Sequence, residues 1–174
     1  MVLHLAKFKT MRTITTLLLA VLTLVSCSGI DSLKYHDAIY TAHEDLLKQY
    51  ERLDKSFNAQ TGKPEGAAVL QQEMASFSAH TDSLITKVNG MEKLDDDFFK
   101  TAFVNFATEL KGMVNTDYKN LSAIVTLKEE AMTEATKAQE QATIQAINAK
   151  LEALNTSFLK QQEVFAKKYD ITLH

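Results

Sequence analysis

Apolar residues recur at intervals of three and four along this chain from about residue 31 onward, a spacing that predicts amphipathic helices. In the first such segment one face carries Ile39, Leu46, Tyr50, Leu53 and Phe57. Sustained alternation of apolar and polar residues, which would indicate strands, is missing. The pattern therefore predicts an all-α protein.

Capping and turn residues divide this region into helical segments. The first begins at a cap, Asp31, and ends near the turn sequence TGKPEG at 61–66. The second ends at Asn89-Gly90, a pair that predicts a left-handed C-cap. The third opens at Asp95–Asp97, whose carboxylates we expect to cap the first helical turn.

The boundary between the third and fourth segments is the least marked, because no proline lies between Asp95 and Asp170. One unbroken helix over this range would be about 114 Å long. The polar stretch TLKEEAMTEATKAQEQ offers no apolar seam for the coiled-coil partner that such a helix needs. We place a turn between about Leu127 and Thr136, where capping boxes begin at Thr126 and Thr136.

Four helices of roughly 25 to 38 residues with short connections predict an antiparallel up-down-up-down four-helix bundle over residues 31–174. The fourth helix also carries a stripe of alanines at positions 131, 135, 138, 142, 146, 149 and 153. Small residues at this spacing would let a neighbouring helix approach closely.

A different pattern precedes the bundle. The apolar run Ile14–Val25 follows Lys7, Lys9 and Arg12, and residues 1–26 contain no acidic residue. The run is too short for a membrane-spanning helix, and a charged segment followed by an apolar one is typical of a secretory signal. It ends in Leu24-Val25-Ser26-Cys27, which includes the only cysteine of the chain.

These four residues resemble the lipobox of bacterial lipoproteins. In that family a lipid is attached to the cysteine sulfur and the chain is cut just before it. The resemblance implies that 1–26 is a signal peptide, that Cys27 carries lipid, and that 27–30 tethers the bundle to a membrane. A start at Met11 would leave this signal intact. The alternatives are an ordinary signal peptide that leaves a cysteine, or a buried apolar cysteine.

Two stretches of the bundle, KYHDAIYTAHEDLL and LKQQEVFAKKYDITL, resemble small uncharacterised helical lipoproteins of Bacteroidota-type and spirochaete envelopes. The resemblance implies a lipid-anchored bundle in the cell envelope, at the outer membrane, and it supplies no site residues. Since only Asp31 follows Cys27 closely as an acidic residue, the periplasmic face and the cell surface both remain open.

The net charge of the chain restricts the classes of partner that it can bind. Removing residues 1–26 from the 174 leaves 148 residues and takes away three of the 19 basic residues and none of the 22 acidic ones. The formal net charge thereby falls from −3 to −6. Such a charge without a basic cluster argues against nucleic-acid binding and leaves the lipid as the membrane contact.

Signatures of catalysis and metal binding are weak. His36 and His43 lie seven residues apart on one helix face and could belong to a zinc or haem site, but further ligands are not evident. The acidic triplet Asp95–Asp97 lacks the spacing of an EF-hand loop. The chain also lacks a Glu-x-x-His pair, a Cys-x-x-Cys-His sequence and a nucleophile elbow. We therefore expect no metal, no cofactor and no enzymatic activity.

The sequence as a whole predicts a non-enzymatic, lipid-anchored envelope protein whose bundle binds another protein or an envelope component. The alternative function is a small-ligand or metal-binding bundle of the periplasm or cell surface.

Four polar residues fall at similar heights in the predicted bundle, about 12 to 18 Å from the end that carries Asp31. They are His43, Thr81, Asn105 and Gln162. As a hypothesis, they form a polar layer that fixes the helix register or lines a small cavity. In the alternative, His43 and Asn105 turn outward and Thr81 alone is buried, bonded to its own helix.

The short segment 28–30 also predicts an orientation, because it allows a tether of at most about 14 Å between Cys27 and the first helix. The bundle end formed by 31–37, 90–99 and 169–174 should then lie near the lipid. The other end, 58–66 with 127–141, should point away and is the expected partner surface.

Overall fold

The structure, a computed structural model, describes residues 31–173, and all regular secondary structure in this range is helical. The helices are α1 Ser32–Gln60, α2 Gly66–Asn89, α3 Phe98–Met113, α4 Lys119–Val125 and α5 Glu134–Lys168. A π-helical turn, Val114–Tyr118, joins α3 to α4, so the two form one continuous rod. With α1, α2 and α5 this rod makes the predicted all-α four-helix bundle, which is confirmed.

Contacts at both ends of the bundle fix the helix directions. The N–H of Gly62, just after α1, donates to the carbonyl oxygen of Val125 at the end of α4, 2.7 Å away. Lys168, at the end of α5, pairs with Asp96, just ahead of α3. Since short loops connect α1 to α2 and α2 to α3, successive rods alternate in direction. We call the two ends the Asp31 end and the Gly62 end.

The predicted apolar faces form the core. Its largest fully buried side chains are aromatic: Phe57, Phe99, Phe103, Tyr118, Phe158 and Phe165. Fully burying a side chain of this kind contributes about 1.5 to 3 kcal/mol relative to leaving it exposed. Most of the aromatic packing between α1, α3 and α5 lies toward the Asp31 end.

The predicted cap at the start of α1 is confirmed, whereas the predicted left-handed cap at the end of α2 is wrong. The Asp31 side chain accepts hydrogen bonds from the backbone N–H groups of Leu33 and Lys34 at 3.1 and 3.3 Å, so it caps α1 as predicted. The left-handed cap at Gly90 is wrong, because that residue has φ −75°. The left-handed glycine is Gly62, at φ 75°, where the chain leaves α1.

The connection between α4 and α5 overlaps the predicted turn. However, neither predicted capping box begins α5. Its cap is Thr133, whose hydroxyl accepts from the N–H of Thr136 at 3.2 Å. The polar composition therefore identified the turn. Because several threonines lie close together there, the sequence did not show which of them caps α5.

The acidic residues ahead of α3 do not cap it, which corrects the prediction. Asp97 has φ −105° and ψ 17°, outside the extended conformation that turns an N-cap side chain onto the helix amides. It instead makes ion pairs with Lys93 and Lys100 at 3.6 and 3.5 Å. Asp97 also accepts from the hydroxyl of Tyr35 at 3.4 Å.

The alanine stripe is exposed at all seven positions, of which six lie in α5 and Ala131 lies in a short 3-10 turn ahead of it. No helix within residues 31–173 covers it, so the expectation that it serves a close helix contact inside the bundle is wrong. The apolar positions of α5 face α1 and α3, and the alanines lie outside this contact, with Ala153 at its edge beside α3.

Candidate functional site

The four residues of the predicted polar layer do not come together. Thr81 is fully buried, and its hydroxyl donates to the carbonyl oxygen of Phe77 on the same helix at 2.8 Å. Asn105 is exposed because the next residue, Phe106, takes the inward position on α3. The layer therefore fails at these two positions, and Thr81 follows the alternative in which its hydroxyl bonds to its own helix.

The other two predicted residues, His43 and Gln162, are buried and lie along the contact between α1 and α5. Gln162 bonds to His36 on α1, with 3.1 Å between the two Nε2 atoms. One heptad further along both helices, Asn155 of α5 faces His43 of α1. We call these four residues, His36, His43, Asn155 and Gln162, the His–amide seam.

His36 is the fully bonded histidine of the seam. Its Nδ1 lies 3.0 Å from Asp37 Oδ1, and its Nε2 faces the amide nitrogen of Gln162. As Gln162 Nε2 can only donate, this arrangement requires His36 Nε2 to accept and Nδ1 to carry the proton. The ring stacks on Phe99 with 5.6 Å between centroids.

His43 has a different environment. Its ring stacks on Phe158 with centroids 4.1 Å apart and contacts Phe106 at 4.6 Å. Within the described part of the chain neither ring nitrogen has a hydrogen-bond partner, and Asn155 Oδ1 is likewise buried without one. Burial lowers the pKa of His43 to about 4, which the neighbouring Asn155 amide offsets only in part. The imidazole is therefore neutral at pH 7.

A second polar chain crosses the core nearer the Gly62 end. The hydroxyls of Tyr50 on α1 and Tyr118 in the π-helical turn lie 2.7 Å apart, and Tyr118 donates to Asp54 Oδ1 at 3.4 Å. Burial raises the pKa of Tyr50 to about 12 and that of Asp54 to about 6. Single π-helical turns occur frequently at functional sites, and this one brings Tyr118 to the carboxylate.

A surface groove runs between α3 and α5. It consists of two adjoining hollows of about 310 and 490 Å³ that share Glu109 and Leu154. The α3–α5 groove is lined by Phe98, Thr101, Ala102, Asn105, Phe106, Glu109, Gly112, Met113 and Thr116 on one side and Lys150, Ala153, Leu154, Ser157, Phe158 and Gln161 on the other. Phe106 and Phe158, which enclose His43, thus also form part of its floor.

The residues needed for metal chemistry are not assembled in residues 31–173. No group of three or more histidine, cysteine, aspartate or glutamate side chains is placed there to hold a metal ion. None of the helices in the same range is long and apolar enough to cross a membrane. Cys27, the predicted lipidation site, lies outside the described residues, as do the signal peptide and the tether.

No family model matches the chain, and no curated protein or solved structure is significantly similar to it.

Sequence reasoning placed the polar layer across four helices and missed the His–amide seam between two. A signal for the seam was present. Amide side chains recur every seven residues on α5, at Asn148, Asn155 and Gln162, and histidines recur at the same interval on α1, at 36 and 43. A seven-residue repeat of polar side chains on two antiparallel helices predicts facing pairs.

Proposed function

We propose that this protein is a non-enzymatic component of a bacterial cell envelope, anchored by lipid on Cys27 at the outer membrane, and that its bundle binds another envelope protein. The lipobox-like residues 24–27 support the anchor. The α3–α5 groove supports the binding role and is the observation on which this function rests.

The groove has the features of a helix-binding surface. Its floor is apolar, with Phe106, Leu154 and Phe158, and its edges carry polar side chains such as Asn105 and Gln161. An apolar centre with a polar rim is typical of protein interfaces, and an amphipathic helix laid in a groove is a recurrent mode of recognition.

Small residues also leave room for a partner backbone. A Cβ atom placed on Gly112 would contact nothing within 4 Å, and Ala102 and Ala153 line the same groove. At these three positions no large side chain would keep a second helix at a distance.

Site-specific photocrosslinking in cells tests the proposal. A photoreactive side chain at Gln161, in the groove, should give a defined protein adduct, while one at Ser76, exposed on α2, should not. Gly112→Leu should abolish the adduct at Gln161, because the leucine fills the groove. Adducts of equal yield at both positions, or an adduct unaffected by Gly112→Leu, would contradict binding at this surface.

The anchor is tested separately with Cys27→Ser. Lipid attachment and cleavage both depend on that cysteine in the lipoprotein family, so the variant should remain an uncut precursor or become soluble. A cleaved variant that still partitions into detergent as the original protein does would exclude the lipoprotein assignment.

A further inference from the structure

Buried polar side chains lie along the α1–α5 contact. They form two pairs one heptad apart, His36 with Gln162 and His43 with Asn155. The first pair is bonded, and the second contains three buried polar atoms without a partner in residues 31–173. A buried donor or acceptor without a partner destabilises a contact, so the seam is least stable at His43.

Of the long helices, α5 also has the smallest fraction of buried residues. Seven of its 35 residues are buried, against nine of 29 in α1. Two of those seven, Glu140 and Gln162, are polar. Elements with few buried apolar contacts open locally at lower free energy than the rest of a structure.

We propose that mild acid releases α5 from both α1 and α3, because a proton on His43, which is enclosed by Phe106 of α3 and Phe158 of α5, opens the His–amide seam while α1, α2 and α3 stay packed together.

The surroundings of His43 offer no anion to hold a charged imidazole. Its partners are Phe158 and Asn155 on α5 and Phe106 on α3, and the titratable side chain next to it on α1 is Tyr40, with ring centroids 6.3 Å apart. A charged ring enclosed by these groups would lose its hydration without gaining a counterion.

The neighbouring helices also carry charged groups. On α2 at this level, His80 lies 3.2 Å from Asp45 of α1, and Asp82 pairs with Lys111 of α3. On α3, Glu109 lines the α3–α5 groove. None of these groups acts on His43, whose pKa is shifted by burial and by Asn155 alone.

His36, the other histidine of the seam, has a neighbour at each ring nitrogen. Its Nδ1 lies 3.0 Å from Asp37 Oδ1, and its Nε2 lies 3.1 Å from Gln162 Nε2. His43 is therefore the histidine of the seam whose ring nitrogens have no hydrogen-bond partner within residues 31–173.

The sign of the effect follows from linkage. In the open seam His43 regains its ordinary pKa of 6.5, whereas in the closed seam the pKa is about 4. Opening is then favoured progressively as the pH falls from 6.5 to 4, with no further change below 4. Between pH 8 and pH 5 the opening equilibrium should rise about thirtyfold.

Hydrogen exchange of the full-length protein, corrected for the intrinsic pH dependence of exchange, tests this inference. Protection of amides in Leu151–Phe165 of α5 should fall about thirtyfold between pH 8 and pH 5. Protection in Leu70–Leu84 of α2 should not change. In His43→Phe, which keeps a ring but cannot titrate, α5 should lose this pH dependence, and the control His80→Gln should retain it.

Equal loss of protection in α2 and α5, or a pH dependence of α5 that persists in His43→Phe, would overturn the proposal. If His43→Phe does not fold, NMR titration of the His43 ring in the original protein replaces it. Titration near pH 6.5 without loss of α5 protection would also overturn the proposal.

Discussion

Thr81 is a polar side chain that lies fully inside the apolar core and is satisfied by its own helix. Its hydroxyl donates to Phe77 O at 2.8 Å. We expect Thr81→Val to change the free energy of unfolding by less than about 0.5 kcal/mol, because no group on another helix loses a partner. Chemical denaturation measures this. A loss of about 1 to 3 kcal/mol would instead require a buried partner on a neighbouring helix.

Asp54 contributes a pH dependence opposite in sign to that of His43. Its pKa is raised from 3.8 to about 6, so the folded protein binds the proton more tightly than the unfolded chain. Stability from this group is present at acid pH and is lost as the pH rises from about 4 through 6. A shift of about two pKa units corresponds to about 3 kcal/mol, but solvent screening at this half-buried carboxylate reduces the contribution to about 1 kcal/mol.

Asp54→Asn should therefore stabilise the protein at pH 7 by about 1 kcal/mol and have little effect at pH 3.5. The amide oxygen can still accept from Tyr118. Urea unfolding at both pH values measures the difference, with Glu163→Gln, an exposed carboxylate of α5 that does not act on Asp54, as the control. An equal effect of Asp54→Asn at both pH values would show that the carboxylate is not desolvated as described.

Gly112 is a helix-interior glycine, in α3, without a steric reason to be glycine. Its φ is not positive, and an added Cβ would meet nothing within 4 Å. Gly112→Ala should raise the free energy of unfolding by about 0.5 to 1 kcal/mol, since alanine loses less backbone entropy in a helix. Thermal or chemical denaturation measures the gain. Destabilisation would mean that the groove is closed at this position in solution.

The helices were predictable because each buries one face and because capping or turn residues separate them. The π-helical turn Val114–Tyr118 was not, since it interrupts no apolar pattern and contains neither glycine nor proline. The position of Asn105 was also missed. A helix turns about 100° per residue, so adjacent residues compete for the inward position, and the larger apolar Phe106 takes it.

The candidate site residues were harder to predict than the helices, because their partners depend on how each helix is rotated. Periodicity assigns His43 to a face, but whether that face meets α3, α5 or solvent depends on helix rotation and register. Gln162 was predicted inside the core, but its partner is His36 rather than Thr81 or Asn105. Only the packing of the complete bundle decides which polar side chains face each other.

At the scale of the whole molecule, the rods set how far the two ends lie apart. α1 has 29 residues, which corresponds to about 43 Å between the Asp31 end and the Gly62 end. If Cys27 carries lipid, the tether of at most about 14 Å keeps the Asp31 end at the membrane. The α3–α5 groove then begins near the membrane at Phe98 and extends away from it toward Thr116.

Fluorescent labels on substituted cysteines at Lys93 and Lys63 measure this orientation in vesicles that contain the lipidated protein. Both side chains are exposed, and they lie near the Asp31 end and the Gly62 end respectively. A quencher attached to lipid headgroups should quench the label at 93 strongly and leave the label at 63 nearly unaffected, because the ends are about 40 Å apart. The same labels on soluble Cys27→Ser protein should both remain unquenched. Equal quenching of the two labels in the lipidated protein would mean that the bundle lies flat on the membrane, with α5 or α1 rather than the Asp31 end against the lipid.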